Sequence, residues 1–124
     1  EVLKKILHDK RKIYLYYKNN LKSCPLKFQI ENPKSVNSFW LVGCLAPSKK
    51  IRNQLMQYLK AKKIETRPGF YPINTMPMYR KSNKKKFKIS KQLSEKIICF
   101  PSFPNLTDKE LNFICNIIKK FFKK

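Results

Sequence analysis

A chain of 124 residues with 42% hydrophobic side chains is long enough to fold as one domain around its own core, and too apolar to be a disordered tail. No apolar run approaches the roughly 20 residues of a bilayer-spanning helix. The net charge of +22 suits a polyanion partner, but 25 Lys against 4 Arg is the signature of codon bias rather than of planar, bidentate phosphate recognition.

Residues 1–21 read as a helix. Val2, Ile6, Ile13 and Tyr17 fall near one face, with Leu3, Leu7, Tyr14 and Leu21 beside it. The pattern is already running at Glu1 with no capping residue ahead, so the sequence is expected to be a piece of a longer polypeptide. The segment Leu26-Lys-Phe-Gln-Ile30 alternates as a half-buried strand does, with Leu26, Phe28 and Ile30 inward. The almost continuously apolar run 38–46 predicts a central strand covered on both faces, with Trp40 in a core or an interface rather than in a ligand stack.

Pro47 and Ser48 open a second helix with Ile51, Leu55, Met56 and Leu59 inward, and with Lys49, Lys50, Arg52, Gln57 and Lys60 outward. Ile64 and Thr66 alternate in a short strand that Pro68 ends. The Lys-rich stretch 81–88 reads as a solvated loop, 90–96 as a short helix and 97–100 as a short strand stopped by Pro101. Thr107 and Glu110 form a capping box for the last helix. Leu106 is placed to staple onto Leu111, and Leu111, Ile114, Ile118 and Phe121 form its apolar stripe. These elements define an α+β domain with a small three- to four-stranded, mainly antiparallel sheet and helices on one side.

Candidate chemistry is sparse. His8 lies in the first helix, remote in sequence from any catalytic partner, and Asp108 and Glu110 are accounted for by helix capping. The two glycines, Gly43 and Gly69, make no phosphate-binding loop. Cys24, Cys44, Cys99 and Cys115 lie far apart without a C-x-x-C pair, which argues against a metal site and for free thiols in a reducing, cytoplasmic compartment. No catalytic or metal-binding residue is expected in this chain. The segment 67–79, RPGFYPINTMPMY, is different in kind. Its three prolines stiffen the backbone, Gly69 permits an unusual φ or a close approach, and its aromatic and methionine side chains are too apolar for an exposed coil. Two readings stand: a preformed wall against another domain, subunit or ligand, or a loop buried on its own core.

In their order along the chain, several motifs resemble one known family. These are KRKIYLYYKNNL at 10–21, SFWLVGCLA at 38–46, IRNQLMQYLKAKKIETRP at 51–68, FYPINTMPMY at 70–79 and the stretch from Ser90 to Phe121. Together they resemble the C-terminal small domain of the DegT/StrS aminotransferases, which have the type I fold of pyridoxal-phosphate enzymes. RPGFYPINTMPMY and CFPSFPNLT are most similar to the perosamine-synthase branch.

The resemblance implies ping-pong transfer of an amino group from glutamate to a nucleotide-linked 4-keto-6-deoxy sugar. It also implies a homodimer, and pyridoxal 5'-phosphate bound mainly by a large domain ahead of Glu1. Residues 1–21 would then be the connecting helix and 22–124 the small domain. Arg67, Phe70, Tyr71 and Asn74 match the segment that approaches the nucleotide sugar, Arg67 toward a phosphate and the two aromatics toward the sugar or base. Where the family usually has His this chain has Asn74, which keeps a hydrogen-bonding side chain but does not titrate near neutrality. The alternative reading of the residues is a small basic nucleic-acid-binding or interaction module. The scarcity of Arg and the lack of a basic-aromatic motif stand against it.

Overall fold

The computed structural model describes residues 1–79 and 87–123. Its elements in chain order are α1 (Val2–Asn20), β1 (Lys27–Phe28), β2 (Val42–Leu45), α2 (Lys49–Ala61), β3 (Arg67–Pro68), α3 (Lys88–Lys96), β4 (Ile97–Phe100) and α4 (Asp108–Phe122). Two 3₁₀ turns, Ile73–Thr75 and Pro77–Tyr79, lie between β3 and α3. The strands form one antiparallel sheet in the order β1-β2-β4-β3, as the α+β reading anticipates. Of the basic loop read at 81–88, residues 81–86 lie outside the described residues, and Lys88 already begins α3.

β2 and β4 are the inner strands, paired Val42–Phe100, Gly43–Cys99, Cys44–Ile98 and Leu45–Ile97. Residues directly opposite share a face, so Val42, Cys44, Ile98 and Phe100 point together. All four are buried in the core cluster, with Ile13, Tyr14 and Tyr17 from α1, Leu55 and Leu59 from α2, and Leu111, Ile114, Cys115, Ile117 and Ile118 from α4. Three helices thus cover one face of the sheet. On the other face Gly43 and Leu45 are only half-buried.

The helix ends follow local rules. The Ser48 hydroxyl accepts from the Ile51 amide at 3.2 Å and starts α2. α2 stops in a Schellman motif, in which Ile64 N–H donates to Leu59 O and Lys63 N–H to Lys60 O, both at 2.9 Å. Its left-handed position holds Lys63 at φ 60 where glycine is usual, which hides this terminus from sequence reading. The capping box of α4 forms as expected: Thr107 N–H donates to Glu110 Oε2 at 2.8 Å and Glu110 N–H to Thr107 Oγ1 at 3.3 Å.

Several expectations are corrected. The apolar face of α1 is buried only from Ile13 onward, and Val2 and Leu3 are exposed. β1 is two residues long, and Ile30, beyond the pairing with β2, is 91% exposed. The run 38–46 becomes strand only from Val42. Phe39 takes φ 46, which drops its own ring into the core and leaves Trp40 67% exposed. Arg52 is buried rather than outward, donating to Asn53 Oδ1 at 2.7 Å and reaching the Ile97 carbonyl of β4 at 3.5 Å. Ile64 and Thr66 lie ahead of β3 rather than in it; Pro68 is its last residue, as read, and is tolerated because β3 is an edge strand whose partner among the described residues is β4.

Gly69 is required by proximity rather than by φ. A Cβ at this position would sit 1.7 Å from Cγ2 of Ile97. Gly69→Ala should therefore destabilise the full-length protein by about 1–3 kcal/mol through overpacking. Urea unfolding measures this, and an unchanged midpoint would show that Ile97 yields freely.

Candidate functional site

An open groove of about 580 Å³ lies where the segment leading into β3, the end of β4 and α4 meet. Cys99, Phe100, Leu106 and Ile114 give it an apolar lining, Lys10, Lys63 and Arg67 bring cations to it, and Glu65 and Glu110 bring carboxylates. Trp40 and Phe103 belong to the lining and are more than half exposed.

α1 organises one end of this groove from beneath. Lys10 and Tyr17 lie two helical turns apart and so project from the same face. Lys10 Nζ donates to the Trp40 carbonyl at 3.0 Å and also to the Ser102 carbonyl. The Tyr17 hydroxyl donates to the Pro101 carbonyl at 3.0 Å. One helix face therefore holds the segment entering β2 and the segment leaving β4. Burial lowers the Lys10 pKa from its ordinary value and raises that of Tyr17. Sequence reasoning missed both staples, because a carbonyl acceptor leaves no trace in residue identity; the seven-residue spacing was the one available hint.

Phe39 is fixed by a second set of contacts. Its ring stacks on Tyr14 with centroids 4.0 Å apart and planes at 16°, and the Arg11 guanidinium lies 5.7 Å over it. Arg11 is itself held by a two-point pair with Glu31, at 2.8 and 3.2 Å. The Phe39 amide donates to Asn37 Oδ1 at 2.8 Å. Such contacts over-determine a backbone conformation that costs about 1–2 kcal/mol for a residue with a side chain.

Of the four residues expected at the site, Arg67 lines the groove; it is exposed and pairs loosely with Glu65 at 3.6 Å. Phe70 and Tyr71 are exposed, and Asn74 is half-buried in the first 3₁₀ turn. Phe70 stacks against Trp40 with ring centroids 6.1 Å apart. Phe70, Tyr71 and Asn74 do not line the groove. The segment 67–79 is thus not buried on its own core: Phe70, Tyr71, Ile73 and Met78 are all exposed. Its backbone is nevertheless tied down, with Thr75 donating to the Pro72 carbonyl through both its amide and its hydroxyl, at 2.9 and 2.7 Å.

Among the described residues no group of three or more His, Cys, Asp or Glu could hold a metal ion, and no helix is long and apolar enough to cross a membrane. His8 is exposed.

With fold and site in view, the comparisons with known proteins converge. A profile of the DegT/DnrJ/EryC1/StrS aminotransferase family matches residues 1–119, and the chain belongs to that family. It is 35% identical over 125 residues to a GDP-perosamine synthase of Vibrio cholerae, covering 98% of this chain and 34% of the relative. The chain therefore spans about a third of the length of the curated relatives it matches. Two solved structures share the fold: the aminotransferase TlmJ from Streptoalloteichus hindustanus (TM-score 0.88, 15% identity, 98% of this chain and 33% of that one) and the PLP-form of Spr1654 from Streptococcus pneumoniae (0.82, 17%, 95% and 31%).

The residues described here do not by themselves fit pyridoxal phosphate. Lys10, the described lysine whose pKa burial lowers, spends its ammonium on two backbone carbonyls, and both glycines lie on the sheet or at its edge rather than in a phosphate-binding loop.

The cysteines are poorly disposed to act as nucleophiles. Burial raises the pKa of Cys24, Cys44 and Cys99 and pushes Cys115 up to about 12. The unfolded thiols ionise first, near pH 8.5, so stability should fall as pH rises from there toward the folded values. At pH 8 the four native thiols should alkylate about ten-fold or more slowly than in urea, as peptide mapping by mass would show. A thiol that reacts rapidly in the folded protein would contradict the inert assignment.

Proposed function

We propose that this chain is the C-terminal part of an enzyme that moves an amino group from glutamate to a nucleotide-linked 4-keto-6-deoxy sugar, as a GDP-perosamine synthase does. The observation that carries the reading is the 35% identity to such a synthase across 98% of the chain. On this reading residues 1–21 connect to an N-terminal large domain and 22–124 form the small domain. Pyridoxal 5'-phosphate is held mainly by the large domain. The occurrence of Spr1654 in both PLP-form and PMP-form supports that cofactor. The whole enzyme is taken to be a cytoplasmic homodimer serving polysaccharide biosynthesis, such as that of O-antigen, with no specific nucleic-acid partner.

The cofactor supplies the electron sink of amino transfer. The residues of this chain bind and orient. Arg67 is exposed at the groove, so its guanidinium is available to a pyrophosphate in two-point geometry. Phe70 and Tyr71 wall the sugar or base from the rigid segment that Pro68 and Pro72 frame. Asn74 offers a neutral amide that gives and accepts hydrogen bonds without changing charge across the working pH range.

The first test is the full-length native protein: its intact mass, and its absorbance before and after borohydride. A polypeptide about three times as long as this chain, with a reducible chromophore, is expected by analogy with type I transferases. A colourless, borohydride-inert product of about this size would overturn the reading. In the active enzyme, Arg67→Ala should raise the KM for the nucleotide sugar by about ten-fold or more and leave the half-reaction with glutamate nearly unchanged, because glutamate lacks the pyrophosphate. Equal loss in both half-reactions would move Arg67 to a structural or donor-side role.

A further inference from the structure

Trp40 and Phe70 come from segments well apart in the chain, yet their rings lie offset-stacked, with centroids 6.1 Å apart and planes at 25°. Both stay largely in solvent, 67% and 73% exposed. Two large aromatics left in water normally sink into the nearest apolar surface, and here their backbones forbid it. Phe39, immediately before Trp40, is held at φ 46 by its buried ring and by Asn37, and Lys10 Nζ takes the Trp40 carbonyl. On the other side Gly69, immediately before Phe70, is pressed onto Ile97 of β4 so closely that no side chain fits between them. The pair is therefore preorganised, and the ordering cost of presenting two aromatic faces is met in folding rather than in binding.

The surroundings say what such a pair takes. Arg67 and Lys63 line the same groove as Trp40, alongside the carboxylates Glu65 and Glu110, and Phe70 flanks it through its stack with Trp40. A planar aromatic base followed by two phosphates needs that combination: a ring surface for the base, and next to it a guanidinium and an ammonium for the anion.

We propose that Trp40 and Phe70 form a stacking platform for the base of a nucleoside diphosphate, and that Lys10 is the positioning residue that keeps Trp40 presented. This extends the site beyond Arg67, Phe70, Tyr71 and Asn74, and it rests on the reading that the full-length protein takes a nucleotide-linked sugar. The platform contributes only to ligands that carry a base. Arg67 and Lys63 contribute to any pyrophosphate.

The test is calorimetric titration of the full-length protein with GDP and, separately, with inorganic pyrophosphate. Trp40→Ala should weaken GDP about ten-fold or more while pyrophosphate stays within about two-fold, since stacking serves the base alone. Trp40→Phe should recover most of the GDP affinity. Phe70→Leu, which keeps apolar bulk but removes the ring, should lose it in the same direction and guards against a poorly folded alanine variant. Lys10→Gln should lower GDP affinity without changing that for pyrophosphate, which separates positioning from direct phosphate contact. Unchanged GDP affinity in Trp40→Ala and Phe70→Leu, or equal weakening of both ligands, overturns the platform and leaves the nucleotide-sugar reading standing; the second outcome marks the pair as a buttress for the rest of the polypeptide. Wild-type protein that binds neither ligand overturns both.

Discussion

The pairing of β2 with β4 closes long loops through four residue pairs, and the entropy of those loops is recovered only if the pairing buries apolar area at once. Val42, Cys44, Ile98 and Phe100 do so, and α1, α2 and α4 lie on the surface they create. Every feature of the groove is fixed relative to this pair of strands. β3 hangs on the free side of β4, so the register Arg67–Cys99 and Pro68–Ile98 sets where Arg67 leaves the sheet. The closeness of Gly69 to Ile97 then sets where the proline-rich segment begins.

The charge has a similar logic on a looser scale. Among the described residues most lysines are exposed, and ion pairs such as Lys12–Asp108 and Lys49–Glu95 are exposed and contribute little to stability. Lys10, half-buried, and Arg52, buried, differ because backbone carbonyls of the β4 region, Ser102 and Ile97, accept from them. A cation placed there exchanges solvation for a fixed geometry, tying helices to the ends of the strand that carries the groove. The diffuse positive surface would raise the local concentration of anionic ligands, but only the held cations and those lining the groove can give direction to that attraction.

How much of this was legible follows from which forces act locally. α4 was read correctly because its start is a side-chain device written in Thr107 and Glu110 and its burial repeats with helical period. The core stripe of α2 was legible for the same reason, whereas Arg52 was misassigned because its acceptor, a main-chain oxygen, has no sequence signature. The strands were over-extended. An apolar run signals burial, but strand length is set by the partner, and β1 and β3 find only two pairing residues each. The segment 67–79 announced rigidity through its prolines and a close approach through Gly69, yet whether its aromatics would be covered depends on tertiary placement that no local pattern encodes.

Phe39 and Trp40 carry the argument one step further. Read as a strand, the two would alternate across the sheet, with Trp40 covered. A positive φ at Phe39 breaks the alternation, at a cost that glycine would have avoided. Glycine there would have lost the ring that stacks on Tyr14, and with it the wedge that turns the following residue outward. The strain and the stack are therefore one device: the core holds Phe39 in a conformation it resists, and the effect is delivered at Trp40, on the surface, next to Phe70 and the groove.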